Sequence, residues 1–381
     1  MIELKGIAWN HTRGIVPVVA TAQRYEELHP GVRISWEKRS LQAFADASMD
    51  KLSAAYDLIV MDHPHTALAA ETGVLIPLEE YLPEAFLADQ GAQSVGKSHA
   101  SYRHLGHQWT LATDAAAPIA TWRPDLMAKH GLDLPQSWEE VLALAGEGHV
   151  AVSLFPVDVL MHVYMFCDAL GTPAFAEEGI LAPEEAIVRA LEALKVLGRL
   201  CGPSSFERNP IRTWEHMTQT DEAAYCPFAY GYSNYSRPGY ARSVLKAGGL
   251  VRYGDRQLRS TLGGAGLAVS SKTPHPGLCA DYARFTAAPE TQSGLYFESG
   301  GQPGHRAAWT DDAVNAASND FFRDTLATLD EAIVRPPYAG YVWFQDEASP
   351  VAHAAVRGAS TCAEAARQLN ALARESREKA P

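Results

Sequence analysis

The chain is predicted to be an α/β protein with two lobes separated by a cleft, and three features of the sequence lead to this prediction. The first hundred residues alternate strand-like and helix-like patterns, which is typical of a sheet of parallel strands. The run 56–62 is apolar and ends in an acid, as expected of a strand that helices cover on both faces. The length of 381 residues, 47% of them hydrophobic, suits roughly two domains.

Hydrophobic periodicity and helix-ending residues predict the strands and helices of the first hundred residues. Strands are predicted over residues 2–9, 32–36 and 56–62. A helix is predicted over 18–29, where Pro30 and Gly31 end it, and another over 41–55.

The second part is predicted to be a further α/β unit. Capping boxes at Ser137–Glu140 and Thr361–Glu364 open helices, and other helices are expected over 158–170 and 184–200. The chain is expected to cross from the first lobe to the second near residue 113 and to return near residue 264. The predicted lobes are therefore residues 1–112 with 264–312, and residues 113–263 with 313–381.

The loop after the first strand is a candidate ligand site, because ligands of parallel sheets bind beyond the carboxyl ends of the strands. Trp9 offers a stacking face, and Asn10 and His11 offer donors and acceptors in fixed directions. Arg13 has the planar fork that suits a carboxylate or phosphate. The alternative is a solvated loop in which Thr12 caps the following helix.

The loop after the third predicted strand brings Asp62 and His63 to the same edge of the sheet. Residues 62–65 contain three potential metal ligands, but a zinc site needs three or four converging ligands and no HExxH pattern is present. Hydrogen bonding to a solute is therefore the favoured role, and no metal or cofactor is expected.

The segment 225–235 is rich in aromatic residues. Rings with hydroxyl groups, such as Tyr230 and Tyr232, combine stacking with hydrogen bonding and suit sugars; packing between lobes is the alternative. Cys226 is a candidate nucleophile, although such a cysteine needs a neighbouring base or cation to lower its pKa. A buried inert cysteine is the commoner case.

Residues 91–98 match the phosphate-loop pattern GxxxxGK[ST] letter for letter. That pattern binds phosphate when a buried strand delivers the loop and a helix continues from it. The residues before Gly91 are not a strand pattern, so a surface turn is predicted here.

Composition excludes several classes of partner. The net charge of −13 argues against nucleic acid and anionic membranes. No apolar run approaches the ~20 residues needed to span a bilayer.

Five cysteines without a CxxC spacing do not indicate a disulfide framework. Because the sequence starts at Met1 without a signal-peptide pattern, we expect either a cytoplasmic protein or one whose leader has been removed.

Short motifs in a shared order carry a resemblance to a known family. The motifs are Glu26–Gly31, Tyr56–Asp62, Gly73–Leu78, Trp109–Asp114, Asp125–Val141, Gly263–Ser270, Asp281–Phe285 and Gly300–Pro303. Together they resemble the bacterial ABC-importer solute-binding proteins of family 1, the maltose-binding-protein-like type.

The resemblance implies a type II two-lobed fold that closes on a small solute and presents it to an ABC permease. The matching positions suggest a cleft lined from Trp9–Arg13, Asp62–His63, Asp114, Tyr230–Tyr232 and Gly263–Gly264. Asp62 and Asp114 would accept hydrogen bonds from hydroxyls, and Arg13 or a histidine would pair with any acid group.

The expected ligand is a sugar, a polyol, or a sugar acid or other carboxylate, bound by a monomer that does no chemistry. The resemblance implies a periplasmic location, and a native start at Met1 a cytoplasmic one. A cytoplasmic enzyme that uses Cys226, or a metabolite sensor, on the same fold is the alternative.

Overall fold

The computed structural model describes residues 1–40 and 48–379. The strands are β1 (Ile2–Trp9), β2 (Val32–Arg39), β3 (Leu58–Met61), β4 (Arg103–His104), β5 (His107–Gln108), β6 (Thr110–Ala112), β7 (Pro118–Trp122), β8 (Tyr225–Tyr230), β9 (Lys246–Gly248), β10 (Arg252–Tyr253), β11 (Arg256–Gln257) and β12 (Gly266–Val269). The helices are α1 (Thr12–Leu28), α2 (Met49–Ala55), α3 (His65–Glu71), α4 (Glu84–Ala92), α5 (Ser98–Ser101), α6 (Pro124–His130), α7 (Trp138–Gly146), α8 (Pro156–Ala169), α9 (Glu184–Cys201), α10 (Pro210–Gln219), α11 (Pro276–Ala287), α12 (Pro289–Thr291), α13 (Arg306–Thr310), α14 (Asp312–Ala317), α15 (Phe321–Asp330), α16 (Tyr341–Arg357) and α17 (Cys362–Glu375).

The first lobe is built on a sheet with the strand order β2-β1-β3-β12-β6 within the described residues. Strands β2, β1 and β3 are parallel, as predicted, and every residue of β3 is buried. Strand β12 is antiparallel to both of its neighbours, so the sheet is mixed rather than wholly parallel. The reason is that β12 returns from the other lobe and inserts between β3 and β6.

Helix α1 covers the first sheet with a buried stripe at helical spacing that includes Val18, Ala22 and Tyr25. It begins earlier than predicted, at Thr12, and its N-cap is His11, whose Nδ1 accepts a hydrogen bond from the Arg13 amide. Thr12 is therefore the first helical residue and not the cap.

Two predicted features near the first lobe have different outcomes. Of the helix predicted over 41–55, residues 41–47 lie outside the described residues and α2 occupies Met49–Ala55. In the segment 91–98, helix α4 rather than a strand precedes the glycine-rich turn, and α5 has only four residues. This segment therefore lacks the strand–loop–helix geometry of a phosphate loop.

The second lobe is mainly helical. Its sheet has the order β8-β7-β9 and is antiparallel, which differs from the α/β unit predicted for this part. Helices α8, α9, α16 and α17 pack around a continuous apolar core. Both predicted capping boxes are present, at Ser137 with Glu140 and at Thr361 with Glu364.

The two predicted crossings lie side by side. Strand β6 ends in the first sheet and β7 begins in the second, while the backbones of Asp114 and Ala265 exchange hydrogen bonds of 2.9 and 3.2 Å. Helices α13 to α15 pack against these crossing segments through Trp309 and Phe322. The predicted boundary at residue 312 falls inside this cluster, and the lobe limits stay a prediction. Among the described residues, no helix is both long enough and apolar enough to cross a membrane.

Candidate functional site

A cavity of about 480 Å³ lies where the two lobes face each other. This volume falls within the range of small-molecule sites. From the first lobe and the crossings, it is lined by Trp9, Arg13, Ser40, Asp62, Asp114, Ala116, Gly263, Gly264 and Ala265. From the second lobe and the segments that lead into its helices, it is lined by Phe155, Val157, Asp158, Met161, Glu207, Asn209, Pro210, Arg212, Tyr230, Tyr232, Arg335 and Gln345.

Most of the residues predicted for the site line this one cavity. They are Trp9, Arg13, Asp62, Asp114, Tyr230, Tyr232, Gly263 and Gly264. Asn10, His11 and His63 were predicted with them but are not among the lining residues. The part each residue plays in binding stays a prediction.

Arg13 and Asp114 form a buried, bidentate ion pair beside the cavity. The Nε and Nη2 atoms of Arg13 donate to the two carboxylate oxygens of Asp114 at 2.7 and 2.5 Å. Nη1 donates to the carbonyl of Gly231 in the other lobe at 2.8 Å, and the guanidinium stacks on Tyr232 at 4.5 Å. Burial disfavours the charge of Arg13, but Asp114 outweighs this effect and raises the pKa of Arg13. Arg13 is therefore engaged by the protein itself.

Asp62 and Arg335 form a second ion pair, which joins the lobes. Asp62 follows β3 of the first lobe, and both of its carboxylate oxygens accept from Arg335 Nη2 at 2.8 Å. Arg335 also donates to Gln345 on α16 of the second lobe at 3.0 Å. Burial favours the neutral form of Asp62, but the facing guanidinium outweighs it and lowers the pKa of Asp62. The pair is therefore ionised and bridges the cleft.

We expect Arg335→Met to shift the protein toward an open arrangement. The substitution removes charge-assisted hydrogen bonds between the lobes, each worth about 1.5–3 kcal/mol, so the open-to-closed ratio should rise about tenfold or more. Small-angle X-ray scattering should then report a larger radius of gyration. Arg284→Met is a matched control, because it breaks an ion pair inside helix α11. An Arg335→Met scattering curve that superimposes on the wild-type curve would contradict a bridging role.

Of the predicted residues outside the lining, His11 and His63 contact residues of the cavity wall, whereas Asn10 is exposed. His11 packs edge-on against Tyr232 at 4.7 Å. Burial, with a contribution from Arg13, lowers the pKa of His11 to about 3. Burial likewise lowers the pKa of His63 to about 4, with Nδ1 3.3 Å from Asp62. Both histidines are therefore neutral near pH 7, and neither is a cation that could pair with an acidic ligand.

The second-lobe wall is the part that sequence reasoning missed. Phe155 and Asp158 come from the start of α8, and Asn209 and Arg212 from the start of α10. A local signal for the second group was present, because Asn209 followed by Pro210 is a typical N-cap and first helical residue. Nothing in the sequence shows that these two helix starts face the cleft.

Cys226 lies away from the cavity, in a buried cluster with Trp214 and Met217. Burial raises the pKa of its thiol well above the ordinary value. A thiol in this setting stays protonated at neutral pH and is a poor nucleophile. The structure therefore offers no support for the alternative in which Cys226 attacks a substrate.

Comparisons with known proteins agree with this geometry. Residues 8–153 match the model of a family described as bacterial extracellular solute-binding protein. The chain has the type II periplasmic-binding-protein fold. The predicted fold and the predicted resemblance to bacterial solute-binding proteins are confirmed.

Three solved solute-binding proteins cover nearly the whole chain. Maltose-bound MalE3 of T. maritima has a TM-score of 0.83 at 18% identity, with 99% of this chain and 100% of that chain covered. The ribitol complex of an Agrobacterium radiobacter K84 protein has a TM-score of 0.84 at 18% identity, covering 98% of each chain. A Thermotoga lettingae TMO protein with α-D-tagatose has a TM-score of 0.84 at 17% identity, covering 99% and 100%. The curated proteins contain no significant match to the sequence.

Proposed function

We propose that this solute-binding fold captures an uncharged sugar or polyol between its lobes and delivers it to an ABC importer in the periplasm. The protein binds its ligand and releases it without chemical change. The observation that carries this proposal is an inter-lobe cavity with aromatic walls whose buried arginines are already neutralised by carboxylates.

The walls combine the two kinds of contact that sugars need. Trp9, Phe155, Tyr230 and Tyr232 supply ring faces. Sugar C–H faces pack on such rings, while hydroxyl groups require donors and acceptors around the rim. Asn209 and Gln345 supply amide groups that can both donate and accept.

The charges of the cavity favour a neutral ligand over a sugar acid. Arg13 is bound to Asp114, and Arg335 is bound to Asp62. In each pair both carboxylate oxygens accept a hydrogen bond from the arginine. An acidic ligand that paired with Arg13 or Arg335 would have to displace one of these carboxylates and leave it buried without its partner, which is costly. A hydroxyl can instead donate to a carboxylate without breaking its ion pair.

The ligands in the solved relatives are consistent with this class. Their descriptions name maltose, ribitol and α-D-tagatose, all of which are uncharged. At 17–18% identity the shared property is the fold, so the ligand of this chain rests on its own cavity.

A thermal-shift screen tests the proposed function. Maltose, ribitol and tagatose should each be compared with acids of similar size, such as gluconate and galacturonate. A ligand at 1,000 times its Kd adds about 4 kcal/mol of stability, which raises the Tm by several degrees. Stabilisation by a neutral compound that is recovered unchanged supports the proposal. Stabilisation by the acids alone would contradict the neutral class, and a chemically altered compound would contradict binding without catalysis.

We expect Phe155→Ala to weaken binding of whichever neutral compound the screen identifies by about tenfold. The substitution removes an aromatic face that lines the cavity, and such contacts contribute about 1 kcal/mol or more. Isothermal titration calorimetry measures the loss. Phe206→Ala is the matched control, since Phe206 is also a half-buried phenylalanine of the second lobe but does not line the cavity. Equal losses in both variants would count against Phe155 as a ligand contact.

A further inference from the structure

Asp158 is a buried carboxyl group in the cavity wall that lacks an ion-pair partner among the described residues. It lies in the first turn of α8, lines the cavity, and is 2% exposed. Within residues 1–40 and 48–379, no lysine, arginine or histidine forms an ion pair with it, although Asp62 and Asp114 in the same cavity each face an arginine. A buried carboxylate without a cation is costly, so its protonation state needs an explanation.

The contacts of the Ser153 hydroxyl indicate that Asp158 carries a proton. Ser153 Oγ lies 2.6 Å from Asp158 Oδ2 and 2.9 Å from the carbonyl oxygen of Arg208. A carbonyl can only accept, and a serine hydroxyl carries a single hydrogen. Each contact is a full two-centre hydrogen bond only if a second proton is present, and Asp158 Oδ2 is the atom that can carry it. The chain then runs from Asp158 to Ser153 to the Arg208 carbonyl.

The other oxygen of Asp158 is left for a bound molecule. Oδ1 accepts no hydrogen bond from the part of the chain that the structure describes, while the residue itself lines the cavity. In the protonated form this oxygen is an uncharged acceptor. In the ionised form it becomes a charged acceptor, whose hydrogen bond to a ligand hydroxyl is about twice as strong.

We propose that Asp158 is a neutral carboxylic acid in the unliganded protein, with its proton directed at Ser153, and that a ligand hydroxyl bound to Oδ1 promotes its ionisation. The ligand-linked part rests on the proposed function; the protonation of Asp158 does not. On ionisation the proton leaves Oδ2 for the buffer, and the Ser153 hydroxyl turns to donate to Oδ2. Ligand affinity is therefore coupled to pH.

The groups that face Asp158 from its own helix and from β8 are neutral, so burial is the main influence on the pKa of Asp158. On its own helix, His162 lies one turn further on, and burial lowers the pKa of that imidazole to about 3, so it brings no positive charge. From β8 and the segment after it come Cys226, Tyr230 and Tyr232, whose pKa values are all raised by burial, so these groups are neutral.

The charged groups across the cavity form ion pairs, and the two at its mouth have opposite charges. Arg13 with Asp114, and Arg335 with Asp62, are closed ion pairs. Glu207, in the segment before α10, and Arg212, in the first turn of α10, are exposed and opposite in charge.

The raised pKa of Asp158 agrees with the protonated state inferred from the Ser153 contacts. Burial raises the pKa of this carboxyl to about 7, against a smaller lowering by the Ser153 hydroxyl. The N-terminus of α8 favours the ionised form, but the effect of one helix end is small compared with burial of a carboxylate. Asp158 therefore changes charge in the physiological pH range.

The protonation of Asp158 can be tested without any ligand. In protein labelled with ¹³C at the aspartate carboxyl carbon, one resonance should titrate with a midpoint near pH 7 and be absent from Asp158→Asn. The asparagine is a close match in shape, because its amide can donate to Ser153 in place of the acid proton. A resonance that is fully ionised throughout pH 5–8, or one that titrates near the ordinary aspartate value of 3.8, would overturn the proposal.

The coupling to binding has its own test, with maltose, ribitol or tagatose as the probe. We expect affinity to rise about tenfold between pH 5.5 and 8.5, the gain expected when a neutral acceptor becomes a charged one. Calorimetry in buffers of different ionisation enthalpy should detect proton release. Asp158→Asn should abolish the pH dependence of affinity, because its amide does not titrate. A wild-type affinity independent of pH, with Asp158 titrating as expected by NMR, would overturn the coupling alone, and absence of binding by all three probes would count against the proposed function instead.

Discussion

Replacing Asp114 by asparagine should lower the free energy of unfolding by about 3–5 kcal/mol, the usual cost of leaving one member of a buried ion pair alone. The substitution keeps the shape of the side chain but removes the charge opposite Arg13, which is 4% exposed. It also weakens the bond that the Ala265 amide donates to the carboxylate at 3.2 Å, at the junction of the two crossings. Urea unfolding followed by tryptophan fluorescence measures the change.

The double variant Arg13→Met/Asp114→Leu separates the lost charge from lost packing. With both charges removed, no uncompensated ion stays buried, and apolar side chains of similar volume fill the space. We therefore expect the double variant to be more stable than Asp114→Asn. The single variants Arg13→Met and Asp114→Leu complete the cycle. If the loss in the double variant equals the sum of the losses in these two, the pair acts through packing and not through charge.

The features predicted correctly from sequence are those with a local signature. Strand β3 is a short apolar run that only a doubly covered strand tolerates, and it is buried throughout. The capping boxes at Ser137 and Thr361 need only residues three positions apart. The crossings near residues 113 and 264 stay a prediction as lobe limits, although the backbones of Asp114 and Ala265 there are hydrogen-bonded to each other.

The features missed depend on contacts between distant parts of the chain. Asp62 and Arg335 are separated by 273 residues, so nothing near either residue indicates that they pair. The same is true of Arg13, whose fork was predicted to face a ligand acid but is closed by Asp114, 101 residues away. Asp158 was overlooked because one acid in an apolar helix start resembles an ordinary first-turn residue. The local sequence shows which chemical groups a residue offers. The tertiary fold decides which distant residue it contacts.

Replacing Gly264 by alanine should destabilise the protein by about 2–6 kcal/mol, because two separate costs add. The glycine has φ of +99°, a backbone conformation that costs other residues about 1–3 kcal/mol. A Cβ atom there would lie 2.5 Å from the carbonyl oxygen of Asp114 and 2.8 Å from the Cα of Ala115. Both contacts are with backbone of the opposite crossing, which cannot rotate away, so the two crossings would be forced apart at a further cost of about 1–3 kcal/mol.

Gly31→Ala is a matched control that separates the two costs of Gly264→Ala. Gly31 has nearly the same φ, +102°, but a Cβ there would meet nothing within 4 Å. Its loss in urea unfolding should therefore report the backbone strain alone, and the excess loss of Gly264→Ala should report the steric clash between the crossings. Because the crossings join the lobes, that excess should be accompanied by a change in the small-angle scattering of Gly264→Ala that Gly31→Ala does not show. Equal losses in the two variants would mean that the crossings can separate freely at this point, and they would then be a flexible connection rather than a close-packed one.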